Sequence, residues 1–114
     1  MPRTLFVAVS VHGKPVRLTD TVWTGKILEN HAEFAMSAGY LEEVRRTIES
    51  PDYVVGGWSG EHLALRECQS APGGSKSLCV VYRELDRDGF VITAFFISKP
   101  QKLLRRGIVW KRRS

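Results

Sequence analysis

The feature that most constrains this chain is the ten-residue run Phe90-Val91-Ile92-Thr93-Ala94-Phe95-Phe96-Ile97-Ser98-Lys99. It follows the turn-like Asp86-Arg87-Asp88-Gly89 and stops at Pro100. Apolar residues fall on both parities, the pattern of a strand covered on both faces and therefore central in a sheet. Thr93 and Lys99 are its polar exceptions, and both call for a reason.

The flanking segments supply the rest of an α+β domain. Thr4 to Val11 alternates, His12-Gly13-Lys14-Pro15 turns the chain, and Val16 to Leu18 forms a short return strand. In that turn His12 is expected to face solvent and to do nothing. Thr19, Asp20 or Thr21 caps a helix running from Val22 to about Asn30 or His31. Its core stripe is Trp23, Ile27 and Phe34, with His31 at the border and Lys26 on the flank. A second helix buries Leu41, Val44 and Ile48, pairs Glu42 with Arg45 and Arg46, and ends at Pro51.

From Asp52 onward the pattern is that of strands: Tyr53 to Val55, Glu61 to Cys68, and Ser77 to Leu85, with a loop over Gln69 to Lys76. If Leu85 and Phe90 flank the last turn, Tyr82 stands opposite Thr93 and Val80 opposite Phe95. Tyr82, Thr93 and Lys99 then share one face. Leu103-Leu104 suggests a helical turn, and Ile108-Val109-Trp110 a last strand returning to the body. The fold expected is α+β, with N-terminal helices packed against a four- to five-stranded antiparallel sheet. One domain spans residues 1–114, with a basic segment over 99–114.

Charge is concentrated in that segment. The net charge is +5, from 17 basic and 12 acidic side chains. Lys99, Lys102, Arg105, Arg106, Lys111, Arg112 and Arg113 all lie after Ser98 with no acid among them, and the remainder of the chain is net −2. Such a patch attracts polyanions through Coulomb steering and counterion release. No apolar run approaches the roughly 20 residues of a membrane helix, and the N-terminus lacks the layout of a signal peptide. The expectation is a cytoplasmic protein with no membrane partner.

Several chemistries are poorly served. Cys68 and Cys79 form no metal-ligand spacing and read as free, reduced core residues. Pro51-Asp52 followed by Glu61 has the outline of a cation-dependent nuclease site, but the lysine such a site uses two residues on is Leu63 here. Gly56-Gly57 and Gly73-Gly74 lack the lysine and helix of a phosphate loop. Metal-free RNA cleavage asks for less: a proton acceptor, a proton donor, and cations for the pentavalent phosphorane. His31, Lys26, Arg66, Tyr82, Thr93 and Lys99 offer these groups on segments that can converge over one sheet face.

The order of motifs carries a resemblance. Trp23-x-x-Lys26-Ile27-x-x-x-His31-x-Glu33 is followed by Thr47-Ile48-Glu49-Ser50-Pro51-Asp52. Val91-Ile92-Thr93-Ala94-Phe95 then leads to a lysine. Over about residues 20 to 111 this resembles the small nuclease domains grouped with barnase, EndoU, colicin D and RelE, particularly their phage-associated branch. Ala32 departs from that pattern, standing where these sequences often carry proline. The resemblance implies helices on an antiparallel sheet and RNA cleavage without metal or cofactor. It also implies the role of a toxin held by an acidic antitoxin or immunity protein. His31 would be the acid/base residue, Arg66 the phosphate-binding arginine, and Thr93 the hydroxyl on the central strand. Lys26 and Lys99 would be supporting cations. On the assumed register Thr93 is also a candidate wall of the RNA site facing Tyr82, a substrate-binding candidate, and tRNA is among the candidate substrates.

Overall fold

The computed structural model describes residues 2–113. Alternating apolar residues fold as expected into β1 (Thr4–Val9) and β2 (Pro15–Thr19). Thr19 caps the next element: its Oγ1 accepts from the Val22 amide at 3.4 Å while its own backbone stays extended. The helix that follows, α1 (Asp20–Val22), widens at once into a π-helical stretch, Trp23–Leu28. Thr24 and Gly25, both weak helix formers, stand at the start of that wide turn. A 3₁₀ turn over Ala32–Met36 leads to α2 (Gly39–Glu49). On α2 the buried stripe is Tyr40, Val44, Thr47 and Ile48, rotated slightly from the expected seam because Tyr40 fills the core and Leu41 only borders it. Then come β3 (Tyr53–Gly56), β4 (His62–Cys68), β5 (Lys76–Arg83), β6 (Gly89–Ile97), the single turn α3 (Gln101–Leu104) and β7 (Ile108–Lys111).

The fold is α+β, but three features depart from expectation. The sheet has seven strands in the order β1-β2-β6-β5-β4-β3-β7, not four or five. The additional strands are the N-terminal hairpin at one edge and β7, which pairs with β3 at the other. The sheet is not wholly antiparallel either: β2 runs parallel to β6 over Val16–Arg17 and Gly89–Phe90. Finally, the helices are not all N-terminal, since α3 lies between β6 and β7.

The run expected to be central forms β6, an interior strand that lies third of seven, next to the middle strand β5. Its β5 edge is paired throughout. Its other edge meets β2 only at its start, and farther along the π-helical stretch packs against it. One glycine makes the parallel junction possible: a Cβ on Gly89 would lie 2.6 Å from the Arg83 carbonyl and 2.7 Å from that of Pro15.

Each face of the sheet has its own core. The helix-side core joins Val16, Leu18, Val80, Tyr82, Val91 and Ala94 to Ile27, Phe34, Val44 and Ile48. Phe34 stacks on Phe96 at 4.6 Å between centroids, with Tyr40 edge-on to Phe96 at 5.4 Å. On the reverse face, Val55, Leu63, Leu65 and Cys79 form a smaller core, bordered by Val81, Phe95 and Ile97 and by Leu103 and Leu104 around α3.

Candidate functional site

The β5–β6 register places the expected site residues. Val81 pairs with Thr93, Val80 with Ala94, and Cys79 with Phe95, one residue away from the register that loop length suggests. A bulge then intervenes, and Tyr82 pairs with Val91. The extra residue, Ile92, is apolar, so no polar side chain marks the bulge in the sequence. Its consequence is large: Thr93 lies with Val81 and Leu63 on the reverse face, and Tyr82 lies in the helix-side core. Tyr82 is 0% exposed, and burial, with the nearby Glu84 carboxylate, pushes its phenol far above the usual range. It is a core residue and not a substrate-binding one.

Arg66 is likewise on the helix side. Three residues from Leu63 along β4, it has the opposite parity and donates to Glu43 Oε2 of α2 at 3.0 Å. That ion pair is partly buried and ties β4 to the helix. Arg66 and Thr93 thus lie on opposite faces of the sheet.

His31 lies near β6, close to Phe95 and not to Arg66. His31 follows the helical segment, its amide donating to the Ile27 carbonyl at 2.8 Å. Its half-buried ring lies 6.1 Å from the ring of Phe95. Phe95 belongs to the reverse-face core and is two residues from Thr93, about 7 Å along a strand. Lys26 is exposed on the π-helical stretch, and Lys99 is exposed just past the end of β6.

Two arginines that sequence reasoning passed over occupy the same face. Phe90 pairs with Arg17 of β2 on one side and with Arg83 of β5 on the other, so one rung reads Arg17–Phe90–Arg83. The bulge brings this rung to the face of Thr93, because Arg83 and Val81 are two residues apart on a regular strand. Arg17 Nε lies 3.0 Å from Asp88, and Arg83 reaches the Ser59 carbonyl at 3.0 Å and Glu61 at 3.7 Å. Both guanidiniums remain partly exposed. A signal was available: Arg17 sits between the inward Val16 and Leu18, so its parity was readable, although the bulge that aligns it with Thr93 was not.

The cation-dependent alternative finds no support. Asp52 accepts from the Glu67 amide at 2.9 Å and pairs with Arg112 at 2.5 Å. Glu61 accepts from the Ser59 amide at 2.7 Å, and that bond leads the interactions holding its carboxyl below the usual range. Both carboxylates are already engaged within the fold. Cys68 and Cys79 are free and buried, and burial pushes the Cys79 thiol up to about 12.

A second polar constellation lies at the end of β5 on the helix side. His12 Nδ1 is 3.0 Å from Glu84 Oε1, and His62 Nε2 is 3.5 Å from the same oxygen. The His12 and His62 rings are 5.6 Å apart, and His62 stacks on Tyr82 at 5.5 Å. His12 is therefore not the idle turn residue that its position in the hairpin suggested.

The basic segment folds onto the body as α3 and β7. Arg112 pairs with Asp52, and the Arg106 guanidinium lies 3.4 Å over the ring of Trp58, which is 81% exposed. Lys99, Lys102, Arg105 and Arg113 are exposed with no acidic partner among the described residues. Among the described residues no helix is long and apolar enough to cross a membrane. No family model, characterised protein or solved structure matches the chain.

Proposed function

We propose that this domain is a metal-independent RNA endonuclease working from the reverse face of the sheet, alongside β6. The observation that carries the reading is that His31 lies 6.1 Å from Phe95, two residues along β6 from Thr93, whose face also presents Arg17 and Arg83. The His31 imidazole can take the ribose 2′-hydroxyl proton as that oxygen bonds to phosphorus, and the 5′-oxygen leaves with a proton returned by the imidazolium or by water. The Thr93 hydroxyl can orient a phosphate oxygen by donating to it. Arg17 and Arg83 are separated by one strand, and together they can meet the charge that builds on the phosphorane. They take the phosphate role for which Arg66 was expected, since Arg66 lies on the opposite face of the sheet from Thr93. Lys26 and Lys99 add positive charge near the helix and strand ends. The motif resemblance supplies the reaction class and the toxin-like role, with an acidic antitoxin or immunity protein as the natural cover for so basic a surface.

Incubating the purified chain with tRNA and with total RNA in chelator tests this. Cleavage leaving cyclic phosphate ends is expected, and His31→Ala should slow it by about 10²- to 10⁴-fold, the usual worth of a general acid or base. Absence of cleavage, or cleavage indifferent to that substitution, would remove the reading.

A second reading rests on Trp58 and Arg106. An exposed indole under a guanidinium, beside unpaired lysines and arginines, suits a module that stacks and neutralises single-stranded nucleic acid without cutting it. In that case Trp58→Ala weakens RNA binding while His31→Ala leaves it unchanged.

A further inference from the structure

We propose that His12, His62 and Glu84 form a binding site for a zinc-class divalent cation, on the opposite side of the sheet from His31 and Thr93. Three separate elements supply the donors: His12 from the β1–β2 turn, His62 from the start of β4, and Glu84 from just beyond β5. Two imidazole nitrogens and one carboxylate form a borderline donor set that suits Zn²⁺, whereas Ca²⁺ and Mg²⁺ favour oxygen throughout.

The geometry is close to that of a three-ligand zinc site. Bonds of about 2.0–2.1 Å place the ligand atoms of a tetrahedral ion about 3.3 Å apart. Here the two histidine-to-carboxylate separations are 3.0 and 3.5 Å, and all the donor atoms lie within 4.8 Å of one another. The widest side can close by rotation of His12, which is exposed on its turn. Three protein ligands leave one coordination position for water.

The surroundings hold two of the donors in place. Ser10, only 5% exposed, donates its hydroxyl proton to Glu84 Oε2. It can do so because the His12 and Lys14 amides, each 3.3 Å away, already donate to the same hydroxyl oxygen. The Ser10 hydroxyl is thus an outer partner that orients a ligating carboxylate. His62 is held by the Tyr82 ring, nearly parallel at 18°.

A hydrogen-bonded His–Glu–His ladder does not account for His62. Its Nδ1 is buried with no hydrogen-bond partner, and its Nε2 stands at 3.5 Å from Glu84 without a hydrogen bond of its own. Tyr82 Oη beneath it is also buried and unpartnered. A cation between Nε2 and Glu84 would engage the nitrogen that faces the carboxylate, the one donor of the three with no hydrogen bond to another.

The test is titration of the chelator-stripped full chain with zinc chloride by calorimetry. One saturable equivalent is expected, together with a higher melting temperature. His12→Gln and Glu84→Gln should each weaken zinc binding by more than the roughly 10–100-fold that loss of an outer-shell partner costs, and Ser10→Ala should fall within that range. Imidazole nitrogen chemical shifts of the unmodified chain give a readout that needs no variant. Zinc should move the resonances of His12 and His62 and leave His31 in place. No saturable uptake would overturn the site, as would uptake undiminished in the His12→Gln/Glu84→Gln double variant or a zinc response confined to His31. RNA cleavage in chelator bears on the nuclease reading alone, so the two proposals fail separately.

Discussion

The two faces of the sheet treat similar side chains in opposite ways. On the helix side Arg66 meets Glu43 of α2, Tyr82 is sealed in the core, and an aromatic cluster of Phe34, Tyr40 and Phe96 fills the remaining space. On the reverse face the single turn α3 packs beside the core among the described residues, and Arg17, Arg83 and Thr93 remain partly accessible. All three arginines have acidic partners, so what separates the faces is exposure: the Arg66 side chain is 28% exposed, against 34% for Arg83 and 43% for Arg17. Residue type therefore says little about a cation's availability until the layer over it is known.

The arginines give the sharpest way to break that comparison. Replacing Arg17 and Arg83 together by Gln should slow RNA cleavage on the order of 10²-fold, as loss of preorganised charge at a phosphorane does. Replacing Arg66 by Met should leave turnover near normal and lower the melting temperature, because Glu43 is left without its partner. Parallel rate and melting measurements decide it. If Arg66→Met abolishes cleavage in a folded protein, the assignment of faces is wrong.

A smaller effect tests the junction that aligns the reverse face. Gly89→Ala should cost about 1–3 kcal/mol, because the new methyl meets two backbone carbonyls and neither can swing aside. Urea unfolding would read this directly, and a loss within error would mean that the β2–β6 crossing is looser than described.

The smallest effect concerns acid. Glu61, beside Arg83, has its carboxyl held below the usual range, first by the Ser59 amide. Its stabilising contribution is thus complete above the ordinary carboxylate pKa and is lost as pH falls through the lower folded value. Glu61→Gln should reduce stability near neutrality and narrow the difference in melting temperature between neutral and acidic solution. An unchanged difference would mean that the carboxylate contributes nothing to the reverse face.

Much of the local structure was legible. The hairpin at residues 4–19, the Thr19 cap, the end of α2 before Pro51 and the return of Ile108-Val109-Trp110 as a strand all follow from periodicity, capping and proline chemistry. Of the candidate site, His31 and Thr93 were legible as polar residues on otherwise apolar elements. Arg17 and Arg83 were not, because their alignment depends on a bulge at an apolar residue. His12 was missed for a related reason: its partner Glu84 lies 72 residues away, and nothing local in a hairpin turn points to it.

The chain's own pattern determined that Phe90–Ile97 would be a core strand with neighbours on both sides, because apolar residues on both parities have no stable place except between two layers. It also determined where basic charge would gather. Only the tertiary structure decided which face Thr93 and Tyr82 would occupy, which arginines the helices would claim, and that two histidines and a glutamate would converge on the helix side of the sheet. Those outcomes turn on a single bulged residue and on contacts between distant segments. Side-chain direction in a strand reverses with every residue, so a shift of one position exchanges the two faces.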